Sequence, residues 1–168
     1  MGAGKFIAII GGILGIVSVA LFYVLPELFC FWRLESAVGD IFLGGFGFSA
    51  GTGLFESDPE YTEDILLLIT FTLVVAGGAL AIIGGLIESK IFGILGGIIM
   101  LAGPIFLLIG LFIEMGDFED LATNIAFLFG GEGLIMGSAG GAEWGIWIST
   151  YFAFGAGALG LIGGALID

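Results

Sequence analysis

Four uninterrupted apolar runs, Phe6–Leu25, Ile65–Ile87, Ile91–Ile113 and Gly145–Ile167, contain no Asp, Glu, Lys or Arg. Each holds roughly 20 residues or slightly more, which as α-helix covers about 30–35 Å and crosses the hydrocarbon of a bilayer. In lipid every backbone N–H and C=O has to pair within the protein, so such runs predict helices. Their lack of apolar–polar alternation argues against a transmembrane β-barrel. The rest of the chain agrees: 59% of the residues are hydrophobic and 11% charged, where soluble domains carry about a quarter charged residues. The first run is too long for the core of a secretory leader, and no small-x-small cleavage pattern follows it.

The chain therefore reads as one integral membrane domain over residues 1–168, with outer loops at 26–64 and 114–144. Lys5 precedes the first span and Lys90 sits in the short connection Glu88-Ser89-Lys90. Both lie on one side, which the positive-inside rule assigns to the cytoplasm together with both termini; Arg33, in the first loop, opposes this. Of the sixteen acids, all but Glu88 and Asp168 fall in the two outer loops. The net charge of −13 is thus concentrated on the outer side.

The segment KFIAIIGGIL (Lys5–Leu14) returns as KIFGILGGII (Lys90–Ile99), with the lysine and the Gly-Gly pair in ungapped register. GALAIIGGLIE (Gly78–Glu88) likewise resembles GALGLIGGALID (Gly157–Asp168). Two copies of span, outer loop, span make two parallel hairpin repeats, related by an axis along the membrane normal. The expected fold is an all-α four-helix membrane bundle with a small extracellular cap. Gly11 and Gly15, Gly93 and Gly97, and Gly160 and Gly164 lie four residues apart, the spacing that places small residues on one helix face for close packing. Pro104 falls mid-span and reads as a packing kink or a gating hinge.

The first loop ends in ESDPEYTED. Ser57 or Asp58 can cap a helix with Pro59 in its first turn, so the second helix is expected to begin near Pro59. The same acids, Glu56, Asp58, Glu60, Glu63 and Asp64, with Asp117, Glu119 and Asp120 of the second loop, are the candidate cation-binding residues, although their spacing is not that of an EF-hand. No resident cofactor is expected beyond a divalent cation there. Upstream, CFWRLES alternates Trp32 and Leu34 with Arg33 and Glu35, which predicts a strand and a small hairpin. In DFEDLATNIAFLF (Asp117–Phe129), Phe118, Leu121, Ile125, Leu128 and Phe129 share one face of an amphipathic helix. That helix either lies on the membrane or packs on the first loop. Phe29, Phe31, Trp32, Phe46, Phe48, Phe118 and Trp144 give the cap an apolar character that calls for burial within the cap, in the lipid interface or in a partner. Trp144, Trp147 and Tyr151 also fit an interfacial belt. Cys30 reads either as a buried small apolar residue or as an interchain disulfide partner.

Several chemistries lack their parts. Without His the usual general base and metal ligand are missing, and no nucleophile–base constellation is apparent, so no enzyme activity is expected. The spans carry no Asp, Glu, Lys or Arg, whereas ion-coupled transporters use such groups. The charge opposes nucleic-acid binding.

With Trp32 in CFWRLES, the tight turn at Glu88-Ser89-Lys90 and GLIGGALI (Gly160–Ile167) closing the last span, the layout resembles the claudin and peripheral-myelin-protein-like four-span families. One cysteine cannot form the loop disulfide of the claudin pattern, and Trp32 is not followed by that pattern's GLW. The resemblance implies lateral self-association and extracellular contact. The expected function is accordingly that of a structural, interacting membrane protein: a homo-oligomer in the lipid bilayer, or a subunit of a membrane assembly, joined through its glycine-lined helices and its acidic, aromatic-rich cap. The alternative is a cation-conducting pore or auxiliary channel subunit with an acidic vestibule.

Overall fold

A computed structural model describes residues 2–44, 48–53, 57–61, 64–115, 123, 125–126, 128–131 and 133–167, with the side chains of 48 and 57–61 left out of the description. Four membrane-length helices form the body: α1 (Ala3–Ala20), prolonged by a 3-10 turn at Leu21–Tyr23, α2 (Ile65–Leu86), α3 (Lys90–Phe112) and α4 (Ile148–Ala165). They form a ring in which α1 and α3 each pack on both α2 and α4. The termini and the α2–α3 turn share one end, where Gly4 abuts the Leu166 backbone and Lys5 pairs with Glu88 at 2.6 Å. The protein is a multi-pass membrane bundle carrying an open β-sheet at its other end.

The repeat is visible contact by contact. Gly12 lies against Ile82, and its equivalent Gly97 against Leu161, the equivalent of Ile82. Gly85 meets Ile9 as Gly164 meets Ile94. Between the repeats, Gly11 meets Gly160 and Ala156 as Gly96 meets Ala81 and Gly77. Gly84 meets Gly93 as Gly163 meets Ala8. Helices without side chains at these crossings bring backbone onto backbone, the main source of attraction where lipid is as apolar as the protein. The symmetry breaks at the axis. Gly15 faces its own equivalent, Met100, whose Sδ would stand 2.5 Å from a Cβ added to the glycine. One flexible thioether there fills space that two identical residues could not share.

Both helices that end the long apolar runs stop in the same way. The Ser89 N–H reaches the Gly84 carbonyl and the Met115 N–H the Gly110 carbonyl, closing Schellman turns. The residue in the left-handed position is a glutamate each time, Glu88 at φ 55° and Glu114 at φ 53°. Glu88 has a compensation in Lys5: that hydrogen bond and charge hold its carboxyl below the usual range. The pair is therefore intact above the ordinary carboxylate pKa and is lost as pH falls through the depressed one. Exposure of the Glu88 carboxylate keeps the effect small. For Glu114, replacement by glycine relieves the strained φ, and Glu114→Gly is expected to stabilise the protein by about 0.5–1 kcal/mol. Denaturant titration in micelles checks this; a loss of stability would contradict it.

The sheet comprises β1 (Trp32–Ser36), β2 (Gly39–Gly44), β3 (Phe48–Gly51), β4 (Ser57–Tyr61), β5 (Met136–Ala139) and β6 (Ala142–Ile146), in the order β4-β3-β2-β1-β6-β5, with every neighbour antiparallel. It is larger than the hairpin expected from CFWRLES. The β1–β6 pairing, with Trp32 opposite Ile146 and Glu35 opposite Glu143, joins the two outer loops into one layer. Trp32, Leu34 and Trp144 turn toward the helix ends and join one core with Leu67, Phe71, Leu107 and Leu111.

Two boundaries and one helix face differ from expectation. The second helix begins at Ile65, capped by Asp64, whose Oδ1 accepts from the Leu67 N–H at 2.7 Å. Ser57, Asp58 and Pro59 belong to β4 instead. That strand is at the sheet edge, where a missing N–H costs no ladder bond. Gly145 and Ile146 belong to β6 rather than the last span. They are apolar because the sheet, not lipid, covers them. In the second loop, residues 123, 125–126 and 128–129 are helical and Ile125 is buried, but Leu128, expected on the same face, is 59% exposed.

The candidate interaction cap

The cap is fastened to the bundle by the start of α4. This helix has no side-chain cap. Its first donors are satisfied instead by the segment before β1: Trp147 N–H to the Phe31 carbonyl at 2.8 Å and Ser149 N–H to the Cys30 carbonyl at 3.2 Å. The Thr150 hydroxyl donates to the same Phe31 carbonyl, and Ser149 Oγ donates to the Ser18 carbonyl of α1. A single irregular segment, Cys30–Phe31, thus answers the unpaired N–H groups of a helix end.

Of the aromatic residues expected to bury in the cap, in the lipid interface or in a partner, the described ones pack largely within the protein itself. Phe31 and Trp32 are completely buried, Phe31 edge-on to Phe71 with centroids 4.6 Å apart. Trp32 Nε1 donates to the Leu134 carbonyl at 2.7 Å, binding the second loop to the first. Trp144 is buried too and donates to the Gly133 carbonyl, so it is a core residue of the sheet rather than an interfacial anchor. Its ring occupies the space that side chains at Gly131 and Gly137 would fill. Phe29 is half-buried against Phe152 of α4. Phe46 and Phe118 lie outside the described residues, and Phe48 lies in β3. Trp147 and Tyr151 open the last helix, with Tyr151 exposed.

The acidic candidates are only partly within the described residues. Asp64 is consumed as a helix cap, Asp58 and Glu60 are on β4, and Glu56, Glu63, Asp117, Glu119 and Asp120 lie outside the described residues. Among the described residues no three of His, Cys, Asp and Glu form a group able to hold a metal ion. The six packing glycines, Gly11, Gly15, Gly93, Gly97, Gly160 and Gly164, all contact neighbouring helices of the same chain.

Arg33 is the residue whose importance the sequence hid. As the lone base of the outer loops it looked like an exception to the orientation rule. In the structure it is the hub of the sheet's second face: it pairs with Glu35, reaches Asp40 at 3.2 Å, and stacks its guanidinium on Phe42 and Trp147 at 5.1 and 5.0 Å. The alternation in CFWRLES placed Arg33 and Glu35 on one face. Asp40, across β2, carried no such signal.

Cys30 is buried with Phe22, Phe42 and Ala50. Burial pushes its thiol up to about 12, with Arg33 pulling only partly against this. A thiol so placed is inert and cannot reach another chain, which removes the interchain disulfide. Maleimide at pH 8 is expected to leave Cys30 unlabelled in the folded protein and to label it fully in denaturant. Labelling of the native protein at the rate of a free thiol would show that this core is open.

Models of known protein families and curated proteins give no match to the chain.

Proposed function

We propose that this chain is a non-catalytic structural membrane protein that associates with copies of itself, or docks on an envelope or membrane-complex partner, through the sheet-bearing cap. The Lys5 and Lys90 end faces the cytoplasm and the cap faces outward. The observation that carries this reading is the open sheet. Among the described residues its outer strands β4 and β5 each have one edge without a neighbouring strand, and a free edge is a template for another chain. The β4 edge carries Pro59, a residue that discourages pairing, whereas β5 carries none and exposes Met136 at 68%. The glycine faces support the same conclusion by elimination, since they are occupied within the bundle and leave the cap as the contact surface. The likeness to claudin-type layouts points the same way.

The channel reading has less support. The bundle axis is filled by buried Met100, with Phe71 and Leu107 also fully enclosed, so a conduit would have to form between copies.

The test is cross-linking in native membranes through Met136→Cys, together with native mass spectrometry from lipid particles. Cys30, being buried, does not compete. The proposal expects cross-linked pairs or a stable heteromeric band, with no such product from Gly155→Cys on the lipid-facing side. A solitary chain in lipid, with no product from Met136→Cys, overturns it.

A further inference from the structure

The register of the β5–β6 hairpin decides which backbone groups β5 turns outward. The Ile146 N–H donates to the Ile135 carbonyl at 3.0 Å, which makes these two residues a hydrogen-bonded pair. Along an antiparallel ladder bonded and non-bonded pairs alternate. Gly137 with Trp144 and Ala139 with Ala142 are therefore bonded pairs as well, whereas Met136 opposite Gly145 and Ser138 opposite Glu143 are not. The N–H and C=O of Met136 and Ser138 consequently point away from β6, toward the free edge. Neither residue has a hydrogen-bond partner among the described residues, and both are exposed. Their spacing is the one at which an added strand makes its bonds. The strand also lacks the proline and charged side chains that guard an edge.

Charge selects what can use this edge. Fourteen of the sixteen acids are in the outer loops, where Arg33 is the only base, and Arg33 is engaged by Glu35 and Asp40. Glu143 is exposed beside Ser138 on the same sheet face and has no cationic partner among the described residues. A second copy would bring the same excess of negative charge. Its other outer strand, β4, adds Asp58, Pro59 and Glu60. Like charge thus opposes union of β5 with either outer strand of another copy.

We propose that the β5 edge takes an extended segment of a different protein, one that sets a Lys or Arg beside Ser138 and an apolar residue beside Met136. The inference rests on the cap being the contact surface and names the chemistry of its partner. The two partner residues are two apart in sequence and so share a face. Strands lie about 4.8 Å apart, which puts the basic residue roughly 10 Å from Glu143 across the short Ser138 side chain, within the combined reach of the two side chains. Met136 offers the apolar residue a flexible surface.

The test is fluorescence anisotropy of the labelled peptide TVTKTVT with the full chain in zwitterionic lipid particles. This peptide carries Val two places to either side of Lys and fits in either direction. It is expected to bind saturably, and at least about tenfold more tightly than the same peptide with Glu in place of Lys. Ser138→Pro deletes an N–H that faces the free edge and no ladder bond. It is expected to unfold at the parent's temperature and to bind at least about tenfold more weakly, while Ser138→Ala binds like the parent. Met136→Pro repeats the experiment should Ser138→Pro not fold. Absence of saturation, equal binding of the Lys and Glu peptides, or full binding by a folded proline variant overturns the proposal. A homodimer as the sole cross-linked product of Met136→Cys also overturns it, yet leaves the cap as the contact surface. No cross-linked product at all overturns both.

Discussion

Gly97→Val is expected to dismantle the α3–α4 contact and to cost at least about 3 kcal/mol. A Cβ at Gly97 would collide with the Leu161 backbone nitrogen and Cα and with the Gly160 carbonyl carbon, none of which can rotate away. The helices would have to separate, and in lipid that forfeits the close packing that holds them together. The repeat extends the expectation to Gly12→Val, because the equivalent position meets the Gly78 carbonyl and Ile82. Gly155→Val is the control. No atom of a neighbouring helix lies within 4 Å of a Cβ there, so its effect is expected to stay within about 0.5 kcal/mol. Steric-trap or denaturant unfolding in bicelles reads the difference. Equal stability of Gly97→Val and Gly155→Val would mean that α3 and α4 do not pack as described.

Trp32→Ala is the second large effect, at about 3–5 kcal/mol, because it empties a fully buried indole site shared by the sheet and the helix ends. The loss falls on the cap: besides the β1–β6 ladder, Trp32 ties β1 to the second loop through the Leu134 carbonyl. Trp32→Phe separates the two contributions. It keeps most of the ring but leaves that carbonyl without its donor, a cost of about 1–3 kcal/mol. The helical signal should persist in both variants while near-ultraviolet dichroism from the cap weakens. If Trp32→Ala stays within about 1 kcal/mol of the parent, the indole is not the clamp between loops.

The helices were legible because lipid leaves the backbone no alternative over a long charge-free run. The repeat was legible because Gly11-Gly12 and Gly96-Gly97 are constrained at the same crossing in each half. Legibility failed where two physical causes leave one sequence signature. Gly145 and Ile146 extend an apolar run, yet a strand covered by neighbouring strands is as apolar as one end of a span. Pro59 suits the first turn of a helix, but it also suits an edge strand, and only the pairing of β3 with β4 decides. Phe31, Trp32 and Trp144 were expected to need burial, but composition cannot distinguish their own core from a partner's surface. The Arg33 hub was only half legible, since it needs the β1–β2 register to bring Asp40 and Phe42 beside that side chain.

An outward-facing cap is the premise on which partner docking depends. Membrane-impermeant maleimide applied to intact cells tests it through two single substitutions, Glu143→Cys on the cap and Ser89→Cys in the α2–α3 turn. The account expects Glu143→Cys to be labelled at once and Ser89→Cys only after the cells are opened. Labelling of Ser89→Cys from outside, with Glu143→Cys protected, would contradict it.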